Sequence, residues 1–225
     1  MIKVHIIPIL QDNYAYAIES DDAVAVIDPG EASGVIAYLD AHGLRPTQIW
    51  NTHHHWDHVN GNVALSQHYG GLQIFNTANP PPKTFGRERV EILETPGHTL
   101  DHICFYFPES SLVFTADTLF CMGCGRLFEG SAEQMWESLQ KLAALPDKTK
   151  VYCGHEYTLA NGGFCMKIEP NNHALHARIE TTKRLRNQNL PSVPSTIMLE
   201  KETNAFLRAG SAARFAEIRT LKNQD

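Results

Sequence analysis

The sequence predicts an α/β domain over residues 1–165 followed by a smaller helical domain over 166–225. Two observations predict it. Short apolar runs of strand length alternate with stretches of helical spacing, and this strand signal fades beyond about residue 155. His and Asp residues also recur just past the ends of the apolar runs, where sites in α/β folds form.

The first 28 residues read as strands, the last being Val24-Ala25-Val26-Ile27, stopped by the turn signal Asp28-Pro29-Gly30. Residues 31–42 have helical spacing, with Val35, Ile36 and Leu39 on one face and Gly43 as a stop. Thr47–Asn51 reads as a strand that opens into a histidine cluster, residues 59–70 as helical, and Leu72–Phe75 as a strand. Asn79-Pro80-Pro81-Pro82 excludes regular helix and a central strand. Val90–Glu94 and His102–Phe107 read as strands around Thr95-Pro96-Gly97-His98, and Leu112–Thr115 as a strand ending near Asp117. Residues 131–145 make an amphipathic helix, capped by Ser131 and closed before Pro146. Lys150–Cys153 is a strand running into Gly154-His155; residues 172–189 and 211–222 read as helices.

Composition narrows the function classes. A chain of 225 residues, 43% hydrophobic and 20% charged, can bury a core without staples. No apolar run approaches the ~18 residues of a membrane span, and the N-terminus lacks a signal-peptide layout. A cytoplasmic protein with no membrane partner is expected. Five cysteines at irregular spacing make a poor disulfide framework. Cys121-Met-Gly-Cys124, a lone C-x-x-C, is a weak signal for zinc or redox chemistry. The net charge of −6 is uneven. Residues 172–225 hold nine Lys/Arg against five Asp/Glu, whereas residues 1–171 hold ten against twenty. An acidic first part suits cations and a basic tail suits an anionic ligand, but nothing here suits nucleic acid.

Chemistry concentrates in Thr52-His53-His54-His55-Trp56-Asp57-His58, an H-x-H-x-D-H element. Imidazole and carboxylate are ligand types for zinc, iron or manganese. In an extended segment alternate residues point the same way, so His53 and His55 can share one metal while His54 and Trp56 point elsewhere. After a turn, Asp57 and His58 can face a second. His98, Asp117 and His155 each follow an apolar strand, giving seven donors, enough for two metals with a shared carboxylate. Two metals at roughly 3.5–4 Å can activate a water at neutral pH. His102 reads as a supporting or packed residue rather than a ligand. Asp28 reads equally as a turn former or as the partner that orients a ligating imidazole. His5, His42, His68, His173 and His176 read as surface or packing residues.

THHHWDH, TPGHT (95–99), FTADTLF (114–120), GCGRLFEG (123–130) and CGHEYT (153–158) resemble the metallo-β-lactamase superfamily. The last three are similar to glyoxalase II, the hydroxyacylglutathione hydrolases, and the similarity reaches Arg219-x-x-Lys222. The resemblance implies an αββα sandwich with a C-terminal helical domain. It assigns His53, His55 and His98 to a first metal, Asp57, His58 and His155 to a second, and Asp117 to both. Asp57 would also orient the attacking water or manage its proton. The implied cofactors are two divalent ions, zinc foremost, with iron or manganese accepted by the same donors. The implied reaction is hydrolysis of S-D-lactoylglutathione and related 2-hydroxyacylglutathione thioesters to glutathione and D-lactate, the second step of methylglyoxal detoxification. Arg126, Tyr157, Arg219 and Lys222 would surround the small-molecule glutathione thioester, and a monomer is expected. Three departures from the family pattern touch the rim more than the ligands, one being Asp101, where a small residue is common. Phe128 stands where some members carry Tyr, and the stretch from Asn76 to Glu94 is short. The rival readings are a persulfide dioxygenase with a single iron, which would not need all of Asp57, His58 and His155, and a lactonase or β-lactamase, which should lack the basic tail.

Overall fold

The computed structural model describes residues 1–21 and 23–225. It groups into two compact units, Met1–Leu93 with Ile103–Ser110, and Glu94–His102 with Ser111–Asp225.

In the first unit, β1 (Lys3–Ile9), β2 (Asn13–Ser20), β3 (Ala23–Ile27), β4 (Gln48–Trp50) and β5 (Gln73–Phe75) form a sheet in sequential order. The first three strands pair antiparallel. From β3 to β5 the pairing is parallel. Parallel neighbours need a crossover, supplied by α1 (Ser33–Ala41) and then by α2 (Trp56–Val59) with α3 (Asn62–His68). Val35 and Leu39 of α1 and Leu65 of α3 join Ile7, Ile9, Ala15, Ala17, Val26 and Ile49 in one buried apolar cluster. The helix expected within 59–70 is α3, and the short α2 precedes it, with Gly61 between them, where a side chain would overlap the Pro29 and Glu31 backbone. The short hairpin of β6 (Thr84–Phe85) and β7 (Glu88–Arg89) follows, then β8 (Glu91–Glu94) and β9 (Ile103–Phe107). Trp50 stacks on Phe107 at 6.1 Å and meets Phe85 and Phe105 edge-on.

This arrangement delivers donors to a strand end. β3 and β4 run parallel, and Asp28 N–H donates to Trp50 O at 3.0 Å, so Asp28 lies beside the start of the histidine segment. Asp28 takes the left-handed conformation at φ 49°, tolerated by Asp and Asn better than by most residues.

The second unit holds β10 (Leu112–Ala116), β11 (Leu119–Phe120), β12 (Gly123–Cys124), α4 (Ala132–Ala143), β13 (Lys150–Cys153), α5 (Thr158–Ile168), α6 (His173–Asn187), β14 (Ser195–Thr196), α7 (Ile197–Thr203) and α8 (Ala212–Asn223). β13 runs parallel to β10 and antiparallel to β14. The ladder slips between Phe114 and Ala116, and Ala116 has φ 38°. A bulge of this kind re-aims the chain next to functional sites, and the next residue is Asp117. Ser131 caps α4 as expected, in a reciprocal capping box with Gln134.

Among the described residues no helix is long and apolar enough to cross a membrane.

Candidate metal centre

In the first unit His53 and His58 are buried, His55 and Asp57 half-buried, and His54 and Trp56 exposed. The alternation expected of an extended segment is present through His55, whose extended backbone gives way to α2, placing Asp57 and His58 in its first turn. The His53 ring lies 4.8 Å from that of His55 and 4.2 Å from that of His58.

One carboxylate orients two of these imidazoles. Asp28 Oδ1 accepts from Thr52 N–H at 2.9 Å, and Oδ2 accepts from Thr52 Oγ1 at 2.7 Å and from His58 Nδ1 at 3.1 Å. His58 must therefore carry its proton on Nδ1. Thr52 Oγ1, having given its own proton to Asp28, accepts from His53 Nδ1 at 3.0 Å. Both rings then turn a lone pair on Nε2 outward, as a ligating imidazole requires. Asp28, His53 and His58 offer atoms within 4.8 Å of one another. With three hydrogens already accepted, Asp28 is the orienting group in that trio rather than a donor to an ion. Asp28 thus fits both readings, a turn former at φ 49° and the hydrogen-bond partner of His58 Nδ1. Asn13, which carries no recognisable signal in a single sequence, donates from Nδ2 to Asp57 Oδ2 at 3.0 Å and to its carbonyl at 3.2 Å. Gly30 lets the chain approach that carbonyl, because a Cβ there would overlap it.

In the second unit His98, Asp117 and His155 are buried together. Asp117 Oδ2 lies 3.3 Å from His98 Nε2 and 3.5 Å from His155 Nε2, so one carboxylate oxygen stands between two imidazoles. His98 Nδ1 donates to Arg126 O at 2.9 Å, again leaving Nε2 unprotonated, the state in which an imidazole nitrogen can ligate. His102 is a support. Its Nε2 accepts from Asp117 N–H at 3.4 Å, and its Nδ1 lies 3.0 and 3.1 Å from the hydroxyls of Thr95 and Thr118. A Cβ on Gly125 would overlap Asp117 O and reach 3.1 Å from His98 Nδ1, so the close return of the chain needs glycine.

The expected substrate residues are placed unevenly. Arg126 is exposed. Tyr157 is partly exposed and stacks on His155 at 4.7 Å, while exposed Phe128 meets His98 edge-on at 5.2 Å. Arg219 and Lys222 lie on α8, three apart, but differ. Arg219 is only 5% exposed, and its Nη1 donates to Cys124 O at 3.0 Å. Lys222 pairs with Asp225 at 3.2 Å. Most other cations of the basic tail are also engaged, Arg178 with Glu200, Arg186 with Glu156, and Arg208 with Glu169.

Residues 10–74 and 82–155 match the family model of the metallo-beta-lactamase superfamily, and residues 156–225 match that of the hydroxyacylglutathione hydrolase C-terminus. The hydroxyacylglutathione hydrolase of Pelagibacter ubique is 43% identical over 99% of both chains. The chain belongs to the hydroxyacylglutathione hydrolase family. It is thus a hydrolase of the metallo-β-lactamase superfamily, with the αββα fold and the C-terminal helical part expected from its motifs. Among solved structures, ETHE1 from Myxococcus xanthus has a TM-score of 0.71 over 98% of this chain and 90% of its own, at 24% identity, and shows the fold alone. TTHA1623 in a di-iron-bound form has a TM-score of 0.63 at 25% identity, covering 91% of this chain and 99% of its own. Membership of this superfamily implies divalent metal, and the donors fit. Buried imidazoles with their Nδ1 protons committed, beside a buried carboxylate, are the ligand set of a divalent transition metal.

Proposed function

We propose that the donors of the two units act together. On this reading His53, His55 and His98 hold one divalent ion, Asp57, His58 and His155 hold another, and Asp117 bridges them. The reaction is hydrolysis of S-D-lactoylglutathione and related 2-hydroxyacylglutathione thioesters to glutathione and D-lactate. The observation that carries the substrate is the 43% identity over 99% of a relative named hydroxyacylglutathione hydrolase.

Two bound ions, zinc foremost with iron or manganese also accepted, would lower the pKa of a water and polarise the thioester carbonyl. The chain's residues do the rest. Asp57, its Oδ2 held by Asn13, orients the attacking water and takes its proton. A thiolate leaves readily, so no strong general acid is needed. Arg126 is an exposed guanidinium suited to a glutathione carboxylate, and Tyr157 offers a hydroxyl to a peptide group beside His155. Lys222 can exchange Asp225 for a substrate carboxylate. Arg219 would have to act from its buried position on Cys124 O. We place the metal chemistry, with the substrate contacts of Arg126 and Tyr157, in residues 1–165 and the remaining substrate recognition in 166–225, a division ten residues beyond the meeting of the two family models at residues 155 and 156. The enzyme is read as a cytoplasmic monomer acting on a small molecule, with no nucleic-acid or membrane partner.

The test combines metal analysis with steady-state kinetics. Two ions per chain are expected, with S-D-lactoylglutathione strongly preferred over a small thioester lacking the glutathione carboxylates. One iron per chain with oxygen consumption on glutathione persulfide and no thioester hydrolysis would make it a persulfide dioxygenase. Equal turnover of both thioesters would remove glutathione as the recognised group.

A further inference from the structure

The segment 119–124 is a hairpin with two residues per strand, Leu119 facing Cys124 and Phe120 facing Gly123. So short a ladder has little stability of its own. Met122 at its tip takes φ 56°, a conformation an ordinary side chain holds only when its surroundings impose it. The whole segment is buried, so its backbone groups need partners.

The C-terminal helices supply those partners. Asn161 on α5 donates to Cys121 O at 3.2 Å, and Cys165 Sγ, also on α5, lies 3.1 Å from Met122 O. Glu200 on α7 accepts from Met122 N–H at 2.9 Å. Asn204, at the end of α7, donates to Gly123 O at 3.0 Å and to Phe120 O at 3.3 Å. Arg219 on α8 donates to Cys124 O. Glu200 is itself immobilised. Its Oε1 accepts from Arg178 Nη2 and Ser195 Oγ, each at 2.5 Å, and its Oε2 accepts from Asn204 at 3.0 Å. Arg178 gains in turn. Burial alone would lower its pKa, but the Glu200 carboxylate outweighs this and holds it above the ordinary value. A buried ion pair adds little net stability, but it fixes geometry, here a carboxylate oxygen against a strained turn.

Both ends of the hairpin lead to the metal donors. Asp117 lies two residues before Leu119, and Gly125 N–H returns to Thr118 O at 3.3 Å, bringing the next carbonyl, that of Arg126, onto His98 Nδ1. We propose that Glu200 and Asn204 are positioning residues for the metal centre, holding through this hairpin both the Asp117 carboxylate and the carbonyl that orients His98. The inference rests on the metal reading above and extends it. It makes the helical C-terminal part a scaffold for the ligands as well as a surface for substrate.

The test is metal retention, read by competition of the zinc-loaded enzyme with a chromophoric chelator. Outer partners of metal ligands typically carry about 10–100-fold in affinity or activity. Glu200→Gln should lose zinc to the chelator that much more readily and lose kcat in parallel, with KM for S-D-lactoylglutathione changed less than about twofold. Lys201→Ala, on the exposed neighbour, should behave as wild type. Should Glu200→Gln fail to fold, judged by circular dichroism, Asn204→Ser leaves the Arg178–Glu200 pair intact and should show the same loss. A folded variant of either kind that holds both ions as tightly as wild type overturns the inference. A wild type that holds no ions brings down the metal reading instead, and this inference with it.

Discussion

Asp28→Asn isolates what the orienting carboxylate does. The variant keeps the shape of the side chain and, because Asn tolerates the left-handed region as well as Asp does, keeps the backbone at φ 49°. What changes is one oxygen. With Oδ1 still accepting from Thr52 N–H, an amide nitrogen stands where Oδ2 accepted from Thr52 Oγ1 and His58 Nδ1. Two donors cannot face each other, so His58 must move its proton to Nε2, where the lone pair for the ion had been. A hydrogen bond to a charged group contributes about 1.5–3 kcal/mol. Losing that difference between the ligating and non-ligating tautomers predicts roughly 10–150-fold weaker binding of the ion that His58 holds, within the range usual for such partners. The assay is chelator competition followed by metal analysis, with thermal unfolding of the metal-free protein as the control for stability. Unchanged affinity for both ions in a folded variant would refute the argument. His58→Ala would then tell whether His58 binds an ion at all.

Asp117→Ala should lose metal and nearly all activity while circular dichroism stays native, and two tightly held ions with normal turnover would remove the bridging assignment. His54→Ala should retain both ions by metal analysis, because His54 points to solvent; one ion per chain would mean that the register of the cluster is wrong. Lys222→Ala should raise KM for S-D-lactoylglutathione by about tenfold or more, the loss of one charge-assisted contact, with metal content unchanged. Arg219→Ala should instead lower kcat and metal retention, since its guanidinium holds Cys124 O, and equal KM effects from the two variants with full metal would make Arg219 a substrate ligand. Burial pushes the Cys124 thiol up to about 11 despite the Arg219 charge beside it, so the folded protein should resist a thiol reagent at pH 8. All five cysteines should react in denaturant, and fast labelling of Cys124 in the native enzyme would contradict its burial.

The features legible in the sequence are those with a local cause. Val24–Ile27 and Lys150–Cys153 announce buried strands by apolar runs, and Ser131 announces a helix start as an N-cap that is present. The alternation through His53–His55 was readable because an extended chain has a period of two. Helix α5 escaped because Gly162-Gly163 lowers its propensity, and tertiary contact overrides that: a side chain on Gly162 would crowd Ile179 and Met122. Helix α7 escaped because Pro191 and Pro194 precede a stretch only seven residues long. The basic tail suggested a free anion-binding surface, but sequence does not show pairing, and most of its cations already have carboxylates. Nor could sequence separate Arg219 from Lys222, three apart on one helix, because only packing buries the first on a backbone carbonyl. Asn13, Glu200 and Asn204 are invisible for the same reason. Each acts on a backbone or side-chain atom more than 40 residues away in the chain.

The two groups of donors are oriented by chemically different partners, and this bears on how firmly each proposed ion is held. Behind His58 stands a full carboxylate, and His53 reaches the same charge through Thr52. Behind His98 stands a neutral carbonyl, and the Asp117 backbone leans on the neutral ring of His102. A carboxylate behind an imidazole raises its basicity more than a carbonyl does. On the proposed assignment, the ion on Asp57, His58 and His155 therefore has two carboxylate donors and one carboxylate-backed imidazole. The ion on His53, His55 and His98 would share a single carboxylate, with a neutral carbonyl behind one ring and Asp28 behind another only through the Thr52 hydroxyl. The same asymmetry suits the reaction. An ion held by His53, His55 and His98 would be the less neutralised of the two and would supply the stronger Lewis acidity for a thioester carbonyl.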